Sequence, residues 1–192
     1  GPIDDADTYA IFAQFSRGQI IRYGLEEMRR RKFRFSGTLM WQLNETWPNA
    51  AGNAIVDYFG RPRVTYDAVR TAYAPLHASL RFDKILWSPG DPFSAGFFLT
   101  SDRLEETHAR CAWRIIIADG KEVAADTIDV QLPANGSVQL GEVYWQIPED
   151  YDSFFVVYCT VTDSESGTVL DETANVFSCH HSTSHFWRPL LE

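Results

Sequence analysis

Gly37-Thr-Leu-Met-Trp-Gln-Leu-Asn-Glu-Thr-Trp-Pro48 is the stretch on which the reading of this chain turns. Leu39, Met40, Trp41 and Leu43 make a nearly continuous apolar run. Such a run suits a parallel strand covered on both faces better than the alternation of a half-solvated sheet. It stops in polar and aromatic groups, Asn44, Glu45, Thr46 and Trp47, and Pro48 removes the next ladder donor. Groups at the carboxyl ends of β/α-barrel strands face substrate. The stretch therefore predicts a buried strand with a ligand-facing end.

On either side the period is helical. Asp5 or Asp7 is placed to cap a helix running to about Arg31, with Phe12, Phe15, Ile20, Ile21, Leu25 and Met28 as its apolar positions. Its last turn carries Arg29, Arg30, Arg31 and Lys32, read as cations complementing the negative end of the helix dipole. After a loop containing Asp57-Tyr-Phe-Gly60, Pro62 is expected to open a short helix over 63–74, with Val64, Ala68, Thr71 and Ala72 as its packing stripe.

From Pro75 the period changes to two. Strands are predicted near 78–82, 84–87, 95–100, 109–117, 122–130, 137–145, 153–162 and 168–178, joined by turns such as Pro89-Gly-Asp91, Asp119-Gly-Lys121 and Ala134-Asn-Gly136. With Trp113 inward on a central strand, the pattern predicts an immunoglobulin-like β-sandwich. The fold class expected is mostly β: a helix-strand-helix remnant of a (β/α)8 barrel over 1–75, then the sandwich over 76–192.

Composition narrows the function classes. With 45% hydrophobic and 14% aromatic residues there is material for a packed core. The net charge of −9 argues against nucleic acid as a partner. No apolar run approaches the ~20 residues that cross a bilayer, so no membrane partner is expected. The opening Gly1-Pro-Ile-Asp-Asp-Ala-Asp7 lacks the basic and apolar regions of a leader, which favours a soluble, cytoplasmic setting and leaves an upstream signal open. Cys111, Cys159 and Cys179 are too few and scattered for a disulfide framework and read as buried thiols, with a Cys111–Cys159 bridge left open.

The order Gly37–Pro48, then Ile55-Val-Asp-Tyr-Phe-Gly-Arg-Pro62, then Tyr66-Asp-Ala-Val-Arg-Thr-Ala-Tyr-Ala-Pro75, resembles glycoside hydrolase family 2, in particular its β-mannosidase-like members. The helix carrying Gln19 and Glu26-Glu-Met-Arg-Arg30 resembles the one before the last barrel strand; the sandwich and its ending, Asn175-Val-Phe177 to Pro189-Leu-Leu191, agree more loosely. The resemblance implies a C-terminal portion of a retaining exo-glycosidase whose two catalytic glutamates lie on earlier barrel strands. A barrel needs about 250 residues, so no catalytic residue is assigned here. The chain by itself is expected to be inactive, and whether it counts as an enzyme stays open.

In the full-length parent the resemblance makes Trp41, Asn44, Glu45 and Trp47 substrate-binding, with a β-linked sugar and the remainder of the barrel as partners. Each has a plainer alternative: Trp41 as an interior ring, Asn44 as a loop bond, Trp47 as a cover on the barrel end. Glu45 departs from the family's usual Asp by one methylene. Glu45 and Asp57 are the only candidates for a local carboxylate pair, a weak signal in a loop. Cys179, His180, His181 and His185 have zinc-ligand chemistry but no recognised spacing, so neither metal nor cofactor is expected. Asn44-Glu-Thr46 and Asn135-Gly-Ser137 fit the glycosylation pattern without a secretory context. Unpaired edges of the 37–60 region predict self-association or poor order there. A runner-up reading, a non-catalytic sandwich that binds carbohydrate or protein, rests on Trp87, Trp145, Phe186 and Trp187.

Overall fold

A computed structural model describes residues 5–49 and 52–180. The chain divides into two compact units, with the break between Ala74 and Pro75. The expected His181, His185, Phe186, Trp187 and 189–191 features lie outside the described residues.

In the first unit, helix α1 spans Ala6–Arg30, and the Asp5 side chain accepts the Thr8 N–H at 2.7 Å to cap it. Helix α2 spans Val64–Ala72 and packs against α1. Gly18 permits that approach, since a Cβ there would lie 3.3 Å from the Ala68 Cβ and 3.5 Å from the Thr65 Cα. The helices differ from expectation in which faces they bury. On α1 Leu25 is buried while Ile20 and Met28 are exposed. Much of the inward face is ionic, through Arg22, Glu26, Arg29 and Arg30. Glu26 accepts from Arg22 Nε at 2.7 Å and lies 3.7 Å from Arg30, while Arg29 donates to the Ala72 carbonyl at 2.5 Å, closing the end of α2. Arg29 and Arg30 are therefore inward structural partners and not only complements of the helix dipole. On α2 the buried stripe is Thr65, Val69 and Ala72, one residue on from the predicted stripe. Arg63 is the N-cap, so Pro62 precedes the helix instead of opening it.

The segment expected as a buried strand carries no ladder over 37–43. Among the described residues its backbone–backbone bonds go to 55–56: Ile55 N–H donates to Gln42 O, Val56 N–H to Leu43 O and Glu45 N–H to Val56 O, and Asn44 forms an isolated parallel bridge with Val56. Exposure alternates along it. Met40 packs on the small core of Leu25, Ile55, Val69 and Ala72, whereas Leu39 is 100% exposed and Trp41 81%. A barrel strand is covered because neighbouring strands flank it and helices cover its outer face. Among the described residues of this unit only one side is supplied.

The second unit is the predicted sandwich. Strands β1 (Leu76–Arg81), β3 (Pro92–Ser101) and β6 (Ser137–Gln146) form one sheet, in the order β1-β3-β6. Strands β2 (Leu86–Trp87), β4 (Thr107–Ile117), β5 (Glu122–Leu132), β7 (Ser153–Asp163) and β8 (Val169–Cys179) form the other, in the order β2-β8-β7-β4-β5. β4 and β7 bury alternate residues, the signature of one face on a core. Trp113 points inward on β4 as predicted, and the core centres on Phe93, Phe97, Phe155 and Phe177. Phe93 lies edge-on to Phe155 at 5.0 Å and to Phe177 at 4.9 Å, the packing that aromatic quadrupoles favour.

Three details correct or complete the expectations. The strand predicted over 84–87 is only Leu86–Trp87, paired parallel to β8. The cysteines are free: Cys111 sits opposite Val161 and Cys159 opposite Trp113, so the two thiols are two residues out of register. Trp145 is buried and Trp87 packs edge-on against Phe93, which removes these two rings from the exposed aromatic strip that a binding-module reading required. The sheets are also joined by a polar link not visible in the sequence. Asp171 on β8 accepts the Ala78 N–H at 2.8 Å and lies 3.1 Å from Nδ1 of the buried His77 on β1.

Candidate functional site

The strand end is built on a small backbone clasp. Residues 42–45 run beside 55–56, and the chain then reverses at Asp57–Arg61 so that Val56 bridges Pro62 and Arg63 N–H donates to Ile55 O at 2.9 Å. Asp57 fixes that reversal, accepting from the Phe59 N–H at 2.9 Å, the Arg61 N–H at 2.9 Å and Arg61 Nε at 2.8 Å. The Arg61 backbone N–H chiefly, with the Arg61 side chain and the Phe59 N–H, holds the Asp57 carboxyl below its ordinary range against some desolvation.

Glu45, predicted to face sugar, is turned inward and only 4% exposed. Arg63 Nη2 donates to Glu45 Oε1 at 3.2 Å and to the Asn49 carbonyl at 3.3 Å. The carboxylate occupies the hollow over Gly52, where any Cβ would stand 1.8 Å from Glu45 Oε1. From α1, Arg17 donates to the carbonyls of Gly52 and Asn53. Two arginines thus grip the loop that follows Trp47-Pro48. The sequence reading missed Arg17, Arg63 and Gly52; the signal for Gly52 was a glycine in a loop, which ordinarily says only that a turn is near.

The other predicted residues divide. Trp41 and Trp47 are exposed, and the Trp41–Gln42 peptide is cis. Asn44 is exposed and donates to the Glu45 carbonyl at 3.2 Å, its plainer alternative. Beside the clasp lies a cleft of about 470 Å³ whose lining includes Gln14, Asn49, Asp57, Tyr58, Phe59, Arg61 and Arg63. None of Trp41, Asn44, Glu45 and Trp47 is among its lining residues. Glu45 and Asp57, the candidate carboxylate pair, are each committed to an arginine. Of the metal-like cluster, the described His180 lies 2.8 Å from Asp152, and no group of His, Cys, Asp or Glu able to hold a metal occurs among the described residues. Among them, no helix is long and apolar enough to cross a membrane.

Comparison with known proteins bears on both units. Residues 95–179 match the mannosidase Ig/CBM-like domain family. β-Mannosidase B of Aspergillus terreus is 27% identical over 71% of this chain and 17% of its own length. The crystal structure of a β-D-mannosidase from Dictyoglomus thermophilum superimposes with a TM-score of 0.74 at 26% identity, covering 93% of this chain and 20% of that one. The chain is similar to the C-terminal portion of β-mannosidase-like proteins of glycoside hydrolase family 2.

An Amycolatopsis orientalis exo-chitosanase, at 18% identity and a TM-score of 0.67 over 86% of this chain and 19% of its own, shares the fold alone. The chain thus spans about a fifth or less of the length of these relatives. Its clasp and cleft belong to the first unit, outside the matched sandwich family.

Proposed function

We propose that this chain is the C-terminal portion of a retaining β-mannosidase-like exo-glycosidase, in which residues 1–75 complete the catalytic barrel and 76–192 form an immunoglobulin-like sandwich. In the assembled parent, Trp41, Asn44 and Trp47 line the pocket for a β-linked sugar. Glu45 acts one step back: with Arg63 it holds the loop that carries Trp47. The observation that carries this reading is the contrast at the strand end, where Glu45 is buried and clamped while Trp41 and Trp47 present bare rings. An exposed, fixed aromatic face is what the C–H face of a sugar ring packs against.

The chain alone is inactive on this reading, because retaining hydrolysis requires two carboxyl groups about 5 Å apart, and both local candidates are neutralised by arginine. The bare strand edge and rings are surface for the remainder of the barrel, or in its absence for a second copy. Kinetics on p-nitrophenyl β-D-mannoside test the reading. The isolated chain should show no turnover. In the full-length parent Trp41→Ala should lower kcat/KM about tenfold, the equivalent of losing ~1.4 kcal/mol of aromatic contact. A parent indifferent to Trp41→Ala, or a chain that hydrolyses unaided, would refute it.

A further inference from the structure

The cleft beside the clasp has features that holding a loop does not require. The Asp57–Arg61 reversal is locked by three bonds to one carboxylate, yet the rings it carries are left outside: Tyr58 is 50% exposed and Phe59 68%. These rings stand edge to face, 5.3 Å apart at 83°, and the Arg61 guanidinium lies 5.1 Å from the Phe59 centroid. They form a stiff corner with little side-chain freedom to lose on binding. Gln14, Asn49 and Arg63 line the same cleft, with Gln14 Oε1 accepting the Val64 N–H at 3.3 Å and Arg63 Nη2 held by Glu45.

The charge balance selects the ligand. Arg61 is neutralised by Asp57 and Arg63 by Glu45, so the cleft offers no surplus cation for a phosphate or carboxylate. What remains is an aromatic corner plus groups that donate and accept, the combination suited to a neutral polyhydroxylated ring. Its volume, about 470 Å³, has room for one or two sugar units.

We infer that this cleft is a second saccharide subsite, with Phe59 and Tyr58 as its platform, separate from the Trp41 strand end. The inference rests on the glycosidase reading for the class of ligand, but its position does not depend on Trp41. Saturation-transfer NMR and calorimetry with β-1,4-mannobiose on the 192-residue chain test it. The expected result is saturable millimolar binding, weakened at least fivefold by Phe59→Ala and by Tyr58→Ala and changed less than twofold by Trp41→Ala. Both cleft rings are exposed, so these variants should keep the parent's circular dichroism spectrum; Tyr58→Phe should retain binding. Absence of saturable binding, or binding abolished by Trp41→Ala and untouched by Phe59→Ala and Tyr58→Ala, overturns the cleft assignment. The kinetic test of the strand end in the full-length parent is unaffected by either outcome, so the two readings can fail separately.

Discussion

The two units solve the burial problem in opposite ways. The sandwich closes its sheets over Phe93, Phe97, Phe155 and Phe177, all buried, and spends polar contacts such as His77–Asp171 on joining sheet to sheet. Among the described residues the first unit has a small buried apolar cluster, Leu25, Ile55, Val69 and Ala72, with Ile21, Met40, Val56 and Tyr66 packed on it and the Arg22–Glu26–Arg30 ladder beside it, and leaves Leu39, Trp41, Leu43 and Trp47 in solvent. Soluble surfaces rarely expose so much contiguous apolar sequence without a partner. The difference teaches that burial is unevenly shared along this chain, the sandwich enclosing its rings and the helical unit leaving its own in solvent, which is why recognition is proposed for the second and stability for the first.

The sharpest way to break that comparison is to separate the units. Residues 75–180 alone should unfold in a single cooperative urea transition with full near-ultraviolet dichroism. Residues 5–74 alone, with too small a core for their length, should show helical far-ultraviolet signal and no cooperative transition. A cooperative first unit would end the argument that it awaits a partner. Within the sandwich, Phe177→Ala removes a ring stacked 5.4 Å from Phe155 and should cost about 3–5 kcal/mol, read as a fall in the urea midpoint. In the first unit the corresponding lever is steric. Gly52→Ala must expel the Glu45 carboxylate from its hollow and should cost about 1–3 kcal/mol. It should shift the emission of the exposed Trp47, while leaving the sandwich transition in place.

The thiols extend the contrast to pH. Burial chiefly, with Asp129 and Asp171 nearby, pushes Cys111 up from 9.0 to about 12, and burial chiefly, with Asp152 and Asp91, pushes Cys179 to about 11. Folded values above unfolded ones mean the native state holds these protons longer. Their contribution is complete below the unfolded thiol value and is lost as pH rises through the folded values. Between about pH 9 and 11 the sandwich midpoint should fall with pH, and Cys111→Ser and Cys179→Ser together should flatten that slope. An Ellman reagent at pH 8 should find these two thiols unreactive until urea exposes them.

How much of this was legible in the sequence depended on whether neighbours in space were also neighbours in pattern. The sandwich was readable because period-two alternation reports a buried face directly, and Trp113 and the four long strands of its larger sheet, β4, β5, β7 and β8, fell where it placed them. β2 was overestimated: Lys84 is drawn to Asp91 at 2.6 Å, and the pairing with β8 is confined to Leu86 and Trp87. In the first unit the apolar run 39–43 suggested cover on both faces. The run describes the environment such a strand is made for, whereas exposure reports the environment the described residues supply. The inward turn of Glu45 was hidden for a different reason. A strand-end carboxylate suggests ligand contact, and only the hollow at Gly52 and the approach of Arg63, eighteen residues on, turn it inward.

The smallest expected effect is the most discriminating. Trp145→Ala and Trp41→Ala delete the same ring from one chain. Trp145 packs 5.1 Å from Phe155 and 5.4 Å from Tyr151, so its loss should cost about 3–5 kcal/mol. Trp41 is 81% exposed, and its loss should move stability by no more than about 0.5 kcal/mol. A ring standing in water carries the solubility cost of exposed apolar surface. If Trp41→Ala instead proves as damaging as Trp145→Ala in urea melts of the isolated chain, Trp41 is a core residue after all. Its bare face would then carry no argument about sugar. If the melts coincide with wild type while the full-length parent loses kcat/KM, the ring belongs to recognition alone.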